Sequence, residues 1–362
     1  MNLEEELYDL FKHVPKAQIH LHLDGAPSFN RVKQILVDEK NFTTEEAEKF
    51  VYIPEKYDGL VDFIHYFDKI TPIIKTPKQI MESTYDFCMK EFEDGVLYTE
   101  MRFAYRGDVA FQGVIDGIVS AKKQIESKGF SAPDFRVILA GERHFQNEVE
   151  NTFVKAVELS KKYPEFFVGV DIAGDEKNFS LKRFTKEFEF IKDKLPCTIH
   201  AGETPNSEDL SPTESMMMAI DFGAKRIGHG LALFDDEELV ERVKNEKIGI
   251  ETNPSSNYMI AGIEPKNHPL KRMLKEGILA SFSTDDPPFF KASMPSELLK
   301  IYQAEIVTSW EEIKTLCLNG IKTAFLPETE KELKIKAFND KFFELENDKF
   351  YGNIIKKLNN NF

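Results

Sequence analysis

Eight short runs of apolar, β-branched and aromatic residues recur along the chain, each bounded by Gly, Pro or Asp. They are QIHLHLD from 18, GVLYTEMRFA from 95, FRVILAGE from 135, FVGVDIAG from 167, CTIHAGE from 197, RIGHG from 226, IGIETNP from 248 and ASFSTDD from 280. Runs of this length and composition predict β-strands. Between them apolar residues return at helical spacing, as in 147–163, 181–195, 235–245 and 269–276, which predicts amphipathic helices. Strands and helices in alternation make βαβ units and a parallel sheet. Eight such units predict an α/β fold closed into a (β/α)8 TIM barrel. A doubly wound open sheet is the other topology the pattern admits.

Neither a strict internal repeat nor a Pro- or Gly-rich linker interrupts the series, so residues 1–362 are expected to form one domain. The segment 27–90 is too long for a simple βα loop and carries helical patterns of its own. Long insertions at the catalytic face of such a fold often act as lids. Within it Leu60, Phe63, Ile64 and Phe67 share one helix face, by itself the pattern of an ordinary buried helix. After Phe325 the charged stretch ETEKELKIKAFNDKFFELEND predicts terminal helices packed on the outside.

Polar residues cluster where the strands end: His20 and His22 in QIHLHLDG, HAGE at 200–203, GHG around His229, and STDDP at 283–287. Alternate side chains of a strand share a face, so His20 and His22 point the same way and can grip one metal ion. Two polar residues on an exposed strand face are the plain alternative. The third His and the pair Asp285 and Asp286 shift the balance, because zinc takes imidazole nitrogen and carboxylate oxygen, and catalytic sites keep a position for water. In a barrel the catalytic groups gather at the carboxyl ends of the strands, and closure brings the first strand beside the eighth.

A zinc ion held by His20, His22, His200 and Asp285 has mostly neutral ligands and lowers the pKa of a bound water to about 7. Glu203, three residues past a ligand, then sits where it can donate or accept a proton; without barrel closure it is a surface carboxylate. His229, between two glycines, is placed to hydrogen-bond that water. Asp286 points either towards a substrate or towards a neighbouring group that it steadies. His13, His65, His144 and His268 stand alone and read as surface or structural histidines.

Composition narrows the class without adding chemistry. Apolar content of 41% and charged content of 30% are ordinary for soluble proteins, and no apolar stretch reaches the roughly 20 residues needed to span a membrane. The net charge of -15, from 62 acidic against 47 basic residues without a basic block, argues against nucleic-acid polymers as partners. The N-terminal MNLEEELYDLFK is acidic and amphipathic, unlike a secretion signal. Cys88, Cys197 and Cys317 are too far apart for a CxxC zinc spacing. As buried thiols they fit a cytoplasmic protein, in which the sequons at Asn41 and Asn178 go unused. There is no GxSxG elbow or Walker loop, and Leu233 stands where a GxGxxG loop needs its third glycine.

Taken together, HLHLDG, DIAGDE, HAGE, RIGHG and STDDP resemble the adenosine deaminases of the amidohydrolase superfamily. The resemblance runs through nearly all of the barrel and extends to LVDFIHYFDKITPII, NPSSNYMIAG and AFLPETEK. It implies zinc-dependent deamination of adenosine, and of 2'-deoxyadenosine, to inosine and ammonia in purine salvage, with one Zn2+ per chain. By the same resemblance His20, His22, His200 and Asp285 bind the zinc, with water completing a five-coordinate site. Glu203 protonates N1 of the purine, His229 orients the hydroxide that attacks C6, and Asp285 helps take its proton. Besides His22, substrate contacts are implied for Asp24 at the ribose 5'-hydroxyl, the Gly174 backbone N–H at N3, and Asp286 at N7. Leu60, Phe63, Ile64 and Phe67 become an apolar lid, a role that replaces the ordinary helix face. Dryness under that lid would raise the Glu203 pKa towards about 6 to 7.

The HxE and PCxxC signature of cytidine-type deaminases is absent. Family members often have Cys-Pro where this chain has Asn253-Pro254. Related adenine deaminases usually carry Glu at the place of Asp24 and Asp at that of Gly228, so both positions favour the nucleoside. Adenine, a 5'-modified adenosine and aminodeoxyfutalosine are the alternative substrates, and a non-catalytic zinc-binding scaffold is the alternative of another class. The expected assembly is a monomer or weak homodimer.

Overall fold

The computed structural model describes residues 2–205 and 209–361. All eight predicted strands form: β1 (Lys16–His22), β2 (Val96–Ala104), β3 (Asp134–Glu142), β4 (Phe167–Ala173), β5 (Thr198–Ala201), β6 (Arg226–His229), β7 (Gly249–Thr252) and β8 (Ala280–Phe282). They pair in parallel as two runs, β1-β2-β3-β4 and β5-β6-β7-β8. The runs meet at both seams. Between β4 and β5, Val170 bridges Cys197, and the Val170 N–H donates to Pro196 O at 3.0 Å. Past the end of β8, Leu21 bridges Asp285, with His22 N–H on Asp285 O at 2.9 Å and Asp285 N–H on His20 O at 3.2 Å. The sheet therefore closes, and the open doubly wound topology falls. The second seam is built from the backbone of three of the expected metal ligands.

The strands of the second run are short, three or four residues each. The sequence pattern makes them look longer, because their apolar runs continue into the polar clusters. The pleat ends where the backbone swings to positive φ, at His229 (63°) and Asp285 (60°). Such conformations are uncommon for non-glycine residues and cost free energy. Here both residues that adopt them line the cavity at the strand mouths.

The β1 to β2 connection folds as helices Phe29–Lys40, Thr44–Phe50, Leu60–Ile70 and Pro77–Glu93. Pro77–Glu93 packs along the helix Asp108–Ser127 in the outer ring. The residues of this connection that reach down to the cavity come from 60–70. There Leu60, Phe63 and Ile64 are buried, and Phe63 meets Tyr57, Phe289 and Phe290 with ring centroids 5.2, 5.8 and 5.1 Å away. This aromatic knot ties the helix to the segment just after Asp286. At the other end of the chain, Trp310–Thr323 covers β8 and β1, while Glu328–Asn347 and Lys349–Asn359 pack outside it. The terminal helices are thus where the charged pattern places them. Among the described residues no helix is long and apolar enough to cross a membrane.

The barrel interior is charged. Glu100, Arg102, Asp171, Arg226 and Glu251 are all fully buried. Arg102 donates through Nε to Asp171 Oδ2 at 2.6 Å and through Nη2 to Glu251. Arg226 donates through Nη2 to Glu100 Oε2 at 2.5 Å and through Nε to Glu251. Buried charges persist only when paired and hydrogen-bonded, and these pairs span β2, β4, β6 and β7, so they exist only in the closed ring.

Candidate active site

The two carboxylates gripped by Arg102 each hold a histidine. Glu251 Oε2 lies 2.8 Å from His20 Nδ1, and Asp171 Oδ2 lies 3.0 Å from His200 Nδ1. Burial alone would raise both carboxyls; Arg102, Arg226 and His20 hold Glu251 well below its ordinary range, and His200 and Arg102 do so for Asp171. As ionised acceptors they fix the proton on each Nδ1 and leave each Nε2 lone pair bare. Those bare atoms converge. His20 Nε2 is 3.3 Å and His22 Nε2 3.4 Å from Asp285 Oδ1, and His22 Nε2 is 3.2 Å from His200 Nε2.

Three observations say that this cluster fits a metal ion. The donor atoms of His20, His22, His200 and Asp285 all lie within 4.8 Å of one another. His20 Nε2 is buried with no hydrogen-bond partner among the described residues. Burial also holds His22 neutral, its pKa down to about 3, so its ring has a lone pair to offer a cation. The charges point the same way. Glu100, Asp171 and Glu251 share two guanidiniums, Arg102 and Arg226, and Asp285 faces only histidines, so four carboxylates against two guanidiniums leave an excess of negative charge that a divalent cation would neutralise.

Glu203 stands beside the cluster, and its loop is clamped by Glu176. Gly202 N–H and Glu203 N–H donate to the two Glu176 oxygens at 2.9 and 3.1 Å, and Ser215 Oγ joins at 2.8 Å. Burial pushes the Glu203 carboxyl well above the usual carboxylate range; the charges of Asp285 and Glu176 add to this, and Arg143 opposes it. Glu203 is therefore a buried carboxyl whose surroundings favour its protonated form. The surface-carboxylate alternative falls with barrel closure.

His229 is oriented by a chain of donors that starts in the backbone. Leu270 N–H donates to His268 Nδ1 at 3.1 Å, so the His268 proton sits on Nε2, 3.0 Å from Asn257 Oδ1. That fixes the Asn257 amide with its Nδ2 turned to His229 Nδ1 at 2.9 Å. His229 must then carry its proton on Nε2, which points into the site, 3.7 Å from Glu203 Oε2 and 3.9 Å from Asp285 Oδ2. His268, a lone histidine in the sequence, thus sets the tautomer of another one. Burial lowers its pKa to about 4. Its ordinary pKa is about 6.5, so the unfolded chain binds a proton there that the folded protein refuses. Stability should fall as pH drops from about 6.5 towards 4, by about 3 kcal/mol at the lower end from this group. Denaturant titrations across that range, compared with His268→Gln, isolate the contribution; equal slopes in the two proteins contradict it.

The remaining expected residues line the same cavity. Leu60, Phe63, Ile64 and Phe67 cover it, while Asp24, Gly174 and Asp286 sit in its wall. Asp286 is buried, and its Oδ1 has no hydrogen-bond partner among the described residues, so the reading in which it steadies a neighbouring group gains no support. A Cβ on Gly25 would fall 1.8 Å from that oxygen, which gives the glycine of HLDG its reason. Asp24 accepts from Ala104 N–H at 2.8 Å and pairs with Arg106 Nη2 at 2.7 Å.

Sequence reasoning passes over Glu142, His144 and Ile260, which also line the cavity, and the supporting Arg102, Glu176, Asn257 and Glu251. Of these, Glu176, Asn257 and Ile260 fall in quoted motifs, DIAGDE and NPSSNYMIAG, where the polarity of the first two inside short apolar stretches is the available signal. The readings of His144 and His268 as isolated need correction: both serve this region.

Comparison with known proteins agrees with this geometry. The model of the adenosine deaminase family matches residues 15–339. An adenosine deaminase of Haemophilus ducreyi is 28% identical over 341 residues, 90% of this chain and 96% of that protein. An adenine deaminase of a Marinomonas species is 26% identical, covering 93% and 99%. The solved N6-methyl-AMP deaminase of Arabidopsis thaliana superposes with a TM-score of 0.78 at 21% identity, covering 92% and 98%, which supports the barrel. With the family match spanning nearly the whole barrel and its site, the chain belongs to the adenosine deaminase family and is a hydrolase acting on C–N bonds of 6-aminopurines.

Proposed function

We propose that this enzyme is a zinc-dependent adenosine deaminase, converting adenosine, and 2'-deoxyadenosine as a second substrate, to inosine and ammonia in cytoplasmic purine salvage. The observation that carries the reading is the meeting, in one lidded cavity, of a four-donor cluster with the buried carboxyl of Glu203 and the Nε2 of His229. Three imidazoles and a carboxylate suit zinc, and His20, His22, His200 and Asp285 would hold it. The metal would supply, near neutral pH, a hydroxide from a bound water of pKa about 7.

The protein's own groups account for the rest. Glu203 donates its proton to N1, which withdraws electrons from C6. His229 offers Nε2–H to the oxygen that adds there, stabilising the developing charge. Asp285 Oδ2, 3.9 Å from His229 Nε2, would take the proton that oxygen gives up and return it to the 6-amino group, whose bond to C6 then breaks to release ammonia as C6 becomes a carbonyl. Asp286, with an unpaired oxygen, and the Gly174 N–H suit the N7 and N3 edges, and Asp24 lies further along the wall, where a 5'-hydroxyl would reach. The apolar lid keeps water from competing for these groups.

His20→Ala should lose metal and activity together, read as zinc stoichiometry alongside turnover. Retention of stoichiometric zinc would show that the ligand set is wrong. Asn257→Asp should swap the donor facing His229 Nδ1 for an acceptor and force the other tautomer. The expected loss is on the order of 100-fold in kcat with bound zinc unchanged, and unaltered kcat would remove the tautomer argument.

A further inference from the structure

The cavity has a polar end that the proposed chemistry leaves without a task. Glu142 closes β3, His144 follows two residues later, and both line the same cavity as the metal donors. Their position relative to a substrate follows from their neighbours. A Cβ on Gly174, which has φ +90°, would fall 2.8 Å from His144 Nδ1. His144 therefore lies against the glycine whose N–H suits N3, the purine edge beside the glycosidic bond. Glu142 in turn sits close enough to Asp24 and Asp68 to feel both carboxylates, and Asp24 is the residue placed for the 5'-hydroxyl. Donor atoms of Asp68, Glu142 and His144 lie within 4.8 Å of one another. The space between the N3 edge and the 5' end is the space a sugar ring must fill.

His144, which faces that space, lacks a hydrogen-bond partner among the described residues. Both ring nitrogens of His144 are buried without a hydrogen bond among the described residues, and Nε2 is 3.6 Å from Asp68 Oδ2 on the lid helix. Buried polar atoms are nearly always satisfied, so their orphaning here marks a place for ligand oxygens. We propose that Glu142 and His144 form a sugar-recognition subsite that binds the 2'- and 3'-hydroxyls of a neutral ribonucleoside, an assignment that rests on the deaminase reading above. Burial, then the charges of Asp24 and Asp68, push the Glu142 carboxyl up to about 8. A protonated carboxyl can donate to one hydroxyl of a vicinal diol while accepting from the other. The carboxyl-rich surroundings also turn the subsite away from phosphorylated sugars.

The test compares kcat/KM for adenosine and 2',3'-dideoxyadenosine, first in the unaltered zinc-loaded enzyme and then in Glu142→Ala and Glu142→Gln. In the unaltered enzyme the diol should be worth about 10- to 100-fold. Glu142→Ala should shrink that ratio at least several-fold, chiefly through KM for adenosine, and Glu142→Gln, which still offers a donor and an acceptor, should keep more of it. Equal kcat/KM for the two nucleosides in the unaltered enzyme overturns the subsite while leaving the deaminase reading intact, and needs no variant to fold. An unchanged ratio in a folded Glu142→Ala overturns it as well. Turnover of neither nucleoside overturns the deaminase reading and the subsite with it.

Discussion

Glu203→Gln should lower kcat by about 10²- to 10⁴-fold, the range that a positioned proton donor contributes, while the protein still folds and binds zinc. The amide is close to isosteric, and Glu203 is not among the four donors that cluster together, His20, His22, His200 and Asp285. Its backbone N–H stays clamped by Glu176, so the loop keeps its shape. What disappears is the acid proton that burial, with the charges of Asp285 and Glu176, favours on the carboxyl. An amide N–H can still face N1 but cannot give its proton up. The loss should therefore appear in kcat, with KM changed much less. Steady-state kinetics with parallel zinc analysis check this, and a variant that deaminates at the parent rate removes Glu203 from the chemistry.

Arg102→Met should show the largest stability effect. The guanidinium holds Asp171 and Glu251 at once and also donates from Nη1 to Ile19 O at 2.7 Å. Its loss leaves two buried carboxylates short of a counter-charge, and breaking a buried pair in this way costs about 3–5 kcal/mol. The same two carboxylates orient His20 and His200. Zinc affinity should fall about 10- to 100-fold, as when partners of metal-bound histidines are removed. Denaturant unfolding and competition against a zinc-chelating dye read the two effects separately. Unchanged zinc affinity in the folded variant would detach the charge network from the metal site.

The eight strands were legible because each apolar run is short and closed by a polar or turn-forming residue. The four residues that converge as candidate metal donors were legible because they stand at those closures. Barrel order then predicts that His20 and Asp285 become neighbours, and the seam between β1 and β8 makes them so. The interior network was not legible. Glu100 and Arg102 in YTEMRF, Asp171 in GVDIAG and Glu251 in GIETN look like the polar half of alternating strands. Their burial depends on partners distant in sequence, Arg102 reaching Asp171 69 residues away and Glu251 149 residues away, which no local pattern reveals. His268 and His144 escaped notice for the same reason: the role of each comes from a contact across the fold, with Asn257 in one case and Gly174 in the other. The positive φ of His229, the last residue of β6, and of Asp285, three residues past β8, also escapes a sequence pattern: His and Asp adopt it more often than most residues, but still in a small minority of cases.

The most direct test of the account follows the ultraviolet absorbance of adenosine after addition of zinc-loaded protein, with adenine and 5'-methylthioadenosine at equal concentration alongside. The account predicts rapid conversion of adenosine, much slower change with adenine, and loss of the adenosine reaction when zinc is chelated. Protein with stoichiometric zinc that leaves adenosine unchanged would contradict it.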